Sequence, residues 1–335
     1  MKQKQILSIA LILLVWQSLS WAKDVSKIGT SAAPFLQIGV GSRASALGEA
    51  FTGIADNATG IYWNPSGIDR YSNNDASFNY SDWFAGMKFF NAAGVIHLGD
   101  IGSFGISVTS FSTEQMVVRT VAEPEGIGTR FNAADLAMGI TYAKNLTDRF
   151  SFGATFKYIS RRIWHMNADA VAMDFGIMYT LPWKQVTLGM SILNFGTKLQ
   201  MQGVDAVVFT DIDPTITGNN TQIMANLYTK EWSLPLNFRF GLAYDVFDFA
   251  DNKFKLAADY IHPNDNFSSV NIGGEYNFMN IFFIRAGYKS LMLEEDVAGL
   301  TFGGGINYNF IGIDYSYVKM KYFDYTQQFS LNVKF

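Results

Sequence analysis

Along most of the chain, apolar and polar residues alternate one for one. The last segment shows it most simply: Phe329, Leu331, Val333 and Phe335 fall on one side, Gln328, Ser330, Asn332 and Lys334 on the other. Leu236, Phe238, Phe240, Leu242 and Tyr244 repeat the pattern against Asn237, Arg239, Gly241 and Asp245. So do Val270, Ile272, Gly274, Tyr276 and Phe278 against Ser269, Asn271, Glu275 and Asn277. A period of two marks a β-strand with two chemically distinct faces. About fourteen such segments follow one another from Asp75 onward, centred on Phe78, Gly94, Ile106, Met138, Ala154, Phe175, Leu188, Phe240, Leu256, Ile272, Ile284, Ile306, Tyr315 and Leu331. Each runs to roughly ten residues, the length a tilted strand needs to cross a bilayer.

The connections divide by parity. Those after even-numbered segments are short, at residues 97–102, 145–148, 182–184, 277–280 and 309–312. Those after odd-numbered segments include the two longest, 112–130 and 196–233. A soluble two-sheet sandwich also alternates, but it has no reason to sort its loops. A barrel whose first strand starts in the periplasm does, with short turns inside and long loops outside. The sequence therefore predicts an all-β fold, a transmembrane antiparallel β-barrel of about fourteen strands.

Residues 39–68 break the pattern. Ala44, Ala46, Gly48, Ala50, Gly53 and Ala55 leave little side-chain bulk, which suits a short helix pressed against other backbone. Trp63-Asn64-Pro65-Ser66-Gly67 then reads as a rigid turn, because Pro fixes φ while Asn and Gly accept unusual angles. The expectation is a compact plug inside the barrel. At the start, Lys2 and Lys4, the apolar run from Ile6 to Trp16 and the small-residue end Ser20-Trp21-Ala22 read as a secretory signal, too short to stay as a spanning helix. The expected organisation is a signal peptide at 1–22, a loosely ordered lead-in and plug at 23–72, and the barrel at 73–335.

The plug segment resembles the N-terminal signature of the PorV/PorQ family of outer-membrane proteins, which are FadL-like barrels. The matching positions are Arg43, Ala44, Gly48, Ala55-Asp56, Ala58-Thr59 and Trp63-Asn64-Pro65-Ser66-Gly67, with Ser66 where Ala is commoner. Gln328-Phe329-Ser330-Leu331 resembles the family's closing strand. The resemblance implies a Gram-negative outer-membrane location and a binding or assembly role in type IX protein secretion, with translocon or cargo proteins as partners. FadL-like barrels also imply an alternative, a transporter for hydrophobic solutes such as long-chain fatty acids.

Composition fits a membrane barrel. Charged residues are only 16% and aromatics 16%, with 30 Gly, 16 Tyr and 7 Pro. With no Cys, disulfides and sulfur-ligated metals are excluded. Removing Lys2 and Lys4 takes the net charge from −4 to −6, which argues against nucleic acid as a partner. Trp83, Tyr158, Tyr179, Trp183, Tyr260, Tyr308 and Tyr322 fall near strand ends, as interfacial girdles in contact with outer-membrane lipid would.

Catalytic and metal signals are sparse, and neither a cofactor nor a metal site is expected. His97, His165 and His262 lie in different segments without ligand spacing. There is no nucleophile elbow, phosphate loop or dinucleotide fingerprint. The chain has the Ser and His that an outer-wall phospholipase uses, but no sequence feature pairs the two residues. Asp211 and Asp213 lack the other ligands of a calcium loop, so a solvated turn is the simpler reading.

The polar faces carry Asp135, Lys157, Asp174, Arg239, Asp245, Lys255, Asp259, Glu275, Arg285 and Asp314. A charge facing lipid near the midplane costs a few kcal/mol, so these should face the lumen. There they either line a solute path or pair with the plug and one another, and their mixed signs favour pairing. In the plug, Arg43, Glu49 and Asp56 are candidate locks to the wall, and Asn64 and Pro65 candidate shapers of its exit. The bland alternative is local capping and turn formation. The second long loop carries Met201, Val207, Val208, Phe209, Ile212, Ile216 and Met224, an apolar set that suggests a protein partner or a hydrophobic ligand. Gly303-Gly304-Gly305 could kink a strand to open the wall, or admit a close-packed plug.

Overall fold

A computed structural model of the chain describes residues 27–335, except 72–73, 184, 212, 214, 216, 218–221, 250, 294–297 and 322–324. The expected signal peptide lies outside the described residues, as do Ile212, Ile216 and Tyr322.

Fourteen strands close into one antiparallel barrel. They are β1 Asp75–Asp82, β2 Lys88–His97, β3 Ser103–Ser112, β4 Ala133–Thr147, β5 Phe150–Ile163, β6 Met166–Thr180 and β7 Val186–Gly196. The second half comprises β8 Asn237–Phe249, β9 Asn252–Pro263, β10 Ser269–Phe278, β11 Phe282–Leu291, β12 Ala298–Tyr308, β13 Ile311–Met320 and β14 Tyr325–Lys334. Each strand pairs with its neighbours in sequence, and β1 pairs with β14, from Asp75↔Lys334 to Asp82↔Gln327, leaving no open edge. Every centre predicted from the alternation lies within its strand.

The faces are inverted relative to a soluble protein. On β14, Phe329 and Leu331 are exposed, while Gln328 and Ser330 are buried. The same holds on β10, where Ile272 is exposed and Asn271 and Glu275 are buried. Apolar residues outside and polar residues inside give each face the solvent it tolerates in a membrane. The ten charges expected to face the lumen are all buried or half-buried.

The wall departs from regular pairing between β6 and β7. Its register shifts between Met173 and Phe175, where Asn194 adopts a left-handed φ of 63°. The Asn194 N–H donates to Asp174 at 2.7 Å, and its side chain accepts from Lys157 at 2.6 Å and donates to the Pro235 carbonyl at 3.1 Å. The bulge is thereby closed from within. Gly303-Gly304-Gly305 shows no such break: β12 stays in register with β11 and β13 across all three. A Cβ on Gly303 would meet the Ala46 side chain, so that glycine admits the plug.

Residues 34–71 fill the lumen. The short helix expected in the small-residue segment is shorter than that segment and begins just before it. It is a one-turn helix, α1 (Ser42–Ala46), which stops because Gly48 and Glu49 both take φ of 65°. The chain then winds irregularly to a second short helix, α2 (Gly60–Trp63), and the Pro65–Asp69 turn. Lack of side-chain bulk serves close approach on both sides: Gly273 and Gly287 face Leu47, and Gly241 faces Thr52 and Gly53.

Candidate functional site

The plug enters the lumen from the mouth that carries the long loops. Ser31 bridges to Ser233 in the long loop after β7, and the Ala32 N–H donates to the Ser233 carbonyl at 2.8 Å. Ser31 and Gln37 both donate to Asp265 in the outer β9–β10 loop, Gln37 at 2.9 Å. The lead-in is therefore not loose throughout. Phe35 and Leu36 are buried in a cluster with Ala137, Ile159, Ala168, Ala170, Ala172, Leu199 and Leu234. Small alanines on β4–β6 leave the space, and two large side chains of the same chain fill it. Tyr62 adds a hydroxyl donated to the Leu36 carbonyl at 3.0 Å. Burial pushes the Tyr62 phenol well above its ordinary range, so it stays a donor.

Below this cluster the plug is tied around most of the circumference. The Ser42 N–H donates to Ser330 on β14 at 2.8 Å, and Thr301 on β12 donates to the Ala46 carbonyl at 2.9 Å. Lys289 on β11 donates to Glu49 at 2.6 Å. Asp259 on β9 accepts the N–H groups of Phe51 and Thr52 at 3.1 and 2.9 Å. Ser191 on β7 donates to the Trp63 carbonyl at 2.9 Å. Arg239 on β8 stacks over Trp63, its guanidinium carbon 4.7 Å from the ring centroid.

Arg43 stands at the centre of a charge network. Its Nε and Nη2 donate to the two oxygens of Glu275 at 2.7 and 2.8 Å, and its other N–H groups reach Asp56. Arg285 continues the chain to Glu275 at 2.6 Å and Asp314 at 2.5 Å, and Asn332 donates to Asp314 at 2.8 Å. Burial by itself would depress the Arg43 guanidinium; Asp56 and Glu275 reverse that and hold it above its ordinary value. Asp245 lies farther out, with Lys255 at 3.6 Å. Glu275, Arg285, Asp314 and Asp245 thus each have an opposite charge beside them, while Arg239 rests on the Trp63 ring.

Asn64 and Pro65 fix the plug exit. The Asn64 side chain donates to the carbonyls of Thr52 and Ile177, both at 3.0 Å, and accepts from the Ser66 N–H and hydroxyl at 3.2 and 2.7 Å. Wall glycines face this turn: a Cβ on Gly153 would meet Pro65 and Ser66, and one on Gly176 would meet Asn64.

Asp69 escaped the sequence reading. It accepts from the Ser103 hydroxyl at 2.6 Å and the Asn145 N–H at 2.7 Å, with the His97 ring 3.1 Å away. Its residue type carries no signal, because its partners lie on three different strands. Ser103, His97 and Asp69 are the three residue types of a hydrolase triad, but their arrangement differs. Ser103 is fully buried and donates its hydroxyl hydrogen bond to Asp69, and both residues meet the same His97 ring nitrogen, Nδ1. The cluster anchors the plug exit to β2, β3 and β4. Among the described residues, no group of three acidic, His or Cys side chains is placed to hold a metal. Asp213 accepts the Thr215 hydroxyl and N–H, the pattern of a solvated turn.

Between plug and wall, beside Phe35 and Tyr62, a gap of about 30 Å³ remains, room for about two waters. On the outside, residues Val207–Thr210 and Ile223–Asn226 form a separate two-stranded hairpin. Phe209 and Met224 are about 70% exposed on it, and Leu227 and Tyr228 follow it into solvent. Met201 departs from its expected place: it packs against the Phe35–Leu36 cluster and does not face outward.

The fold is shared with solved structures of outer-membrane channels. A structure titled CymD monoaromatic hydrocarbon channel is 13% identical, covers 89% of this chain and 97% of its own, and superposes with a TM-score of 0.56. The Ralstonia pickettii toluene transporter TbuX follows at 12% identity, 88% and 97% coverage and TM-score 0.55. A Pseudomonas aeruginosa FadL homologue has 11% identity, 88% and 98% coverage and TM-score 0.52. At these identities the likeness is one of fold. Comparison with curated protein sequences gave no match. The family model for type IX secretion system protein PorV matches residues 21–262, which span the plug and nine of the fourteen strands. With this match over most of its length, on a closed and plugged outer-membrane barrel, the chain belongs to the PorV family.

Proposed function

We propose that this barrel is a binding and assembly component of type IX secretion that works through its outer loops, with its lumen permanently sealed. The observation that carries the reading is the way the lumen is filled. Phe35 and Leu36 occupy its apolar outer half, and Arg43, Glu49 and Asp69 tie the rest to the wall, with Asp56 bracing Arg43 from within the plug. The gap left beside Phe35 and Tyr62, about 30 Å³, has room for about two waters and not for a fatty acid. The exposed apolar residues sit instead on the hairpin at 207–226, beyond the barrel rim. Apolar side chains kept in water on a two-stranded hairpin, itself marginal in isolation, are the signature of a protein-binding surface.

Hydrophobic solute transport is the second reading, favoured by the apolar lining around Phe35 and Leu36. It requires those two side chains to leave their cluster, exposing Ile159, Leu199 and Leu234 to a ligand. A photo-crosslinking amino acid at Phe209 or Tyr228, with lipid-facing Ile284 as control, tests the two together. Crosslinks from the hairpin to a translocon or cargo protein support the assembly role. A hairpin that captures no protein, in a barrel that moves labelled fatty acid or toluene, overturns it.

A further inference from the structure

On the periplasmic side, the plug floor and the short turns enclose a cup of about 540 Å³. That lies within the size range of small-ligand pockets. Its lining carries six carboxylates against five cationic side chains, together with several asparagines and Tyr71, Phe283 and Phe310. The fixed donors are already used: Arg43 by Asp56 and Glu275, and Arg285 by Glu275 and Asp314. The acceptors are not. Asp75, only 5% exposed, accepts the Ala58 N–H at 2.6 Å on Oδ2, and its Oδ1 has no partner among the described residues. Asn332 spends its amide N–H on Asp314 and Asn277 its own on Asn280, leaving Oδ1 of each buried and unpartnered. Lys334 stands opposite Asp75 in register but forms no ion pair with it among the described residues.

A buried carboxylate oxygen left without a donor is costly, and three orphaned oxygens around one net-negative cup call for a cationic donor. We infer that this cup is a binding site for a basic side chain, Lys or Arg, presented by a polypeptide on the periplasmic side. Asp75 supplies the charge and Asn332 beside it a second acceptor. Asn277 faces them from β10, where it can take a further donor. The remaining asparagines and aromatic rings suit a peptide backbone better than a bare polyamine. The site is independent of the outer loops, so it stands or falls separately from the hairpin reading.

The test is calorimetric titration of the detergent-purified full barrel with acetyl-Gly-Lys-Gly-amide, acetyl-Gly-Gln-Gly-amide and spermidine. The lysine peptide should bind about tenfold or more tightly than the glutamine peptide, and better than spermidine. Asp75→Asn, which keeps an oxygen for the Ala58 N–H, should erase that preference. Lys334→Met, which removes a competing cation, should strengthen it. Heat-modifiable migration of each variant confirms a folded barrel. Equal binding of the two peptides, a preference for spermidine, or a lysine preference that survives Asp75→Asn would overturn the proposal.

Discussion

Replacing Arg43 by Met should release the plug while leaving the barrel intact. The guanidinium spans Glu275 at 2.7 and 2.8 Å and Asp56 on its other edge, so its loss leaves two carboxylates facing each other. Removing one partner of a buried pair costs about 3–5 kcal/mol. Glu275 keeps Arg285 at 2.6 Å, and Asp56 borders the periplasmic cup and is not packed on every side, which places the cost near the low end. About 3 kcal/mol is roughly a hundredfold in the equilibrium between docked and displaced plug. The strand ladder does not involve Arg43, so heat-modifiable migration should stay that of a folded barrel. Planar-bilayer recordings should then show openings that the parent protein lacks, and protease added from the periplasmic side should cut between residues 43 and 71. Adding Asp56→Asn removes the orphaned charge and should close most of the openings. A variant as silent and as resistant as its parent would refute the reasoning, and so would a double variant that stays open.

Other consequences are checkable in the same way. Asp69→Ala strands the buried Ser103 hydroxyl and the Asn145 N–H, at about 1–3 kcal/mol each, and should lower the urea midpoint of plug release with the barrel retained. Gly176→Ala places a methyl against the hydrogen-bonded Asn64 amide and the Pro65 ring; overpacking costs about 1–3 kcal/mol and should reduce assembled barrel in the membrane. Because Ser31 sits under the outer loop at Ser233, an epitope inserted after Ala22 should be stained on intact cells. Mass spectrometry of the purified protein should find Lys23 as its first residue; an uncleaved chain would contradict the signal-peptide reading.

The barrel was legible because strand periodicity is local. Each strand carries its own inward and outward sets, so Phe329 against Ser330, or Ile272 against Asn271, needs no knowledge of the partner strand. Loop parity told the two mouths of the barrel apart from chain lengths alone. The plug was legible in outline only. Its small residues announced close packing, but the helix they suggested ends at Gly48 and Glu49, whose positive φ is set by contact with β10 and β11. Phe35 and Leu36 read as a lead-in because nothing nearby in sequence reveals the alanine-lined space on β4–β6 that they fill. Asp69 was invisible for the same reason. Its partners His97, Ser103 and Asn145 meet it only after the barrel closes.

Mild-detergent purification of the tagged protein from its own outer membrane, with the eluate divided between proteomics and lipid mass spectrometry, separates a sealed barrel that acts on other proteins from a solute channel. Stoichiometric recovery of a translocon or cargo protein, lost on deleting residues 204–228 and with no enriched small molecule, is the predicted result. A barrel that purifies alone with a bound fatty acid or hydrocarbon in place of Phe35 and Leu36 would contradict it.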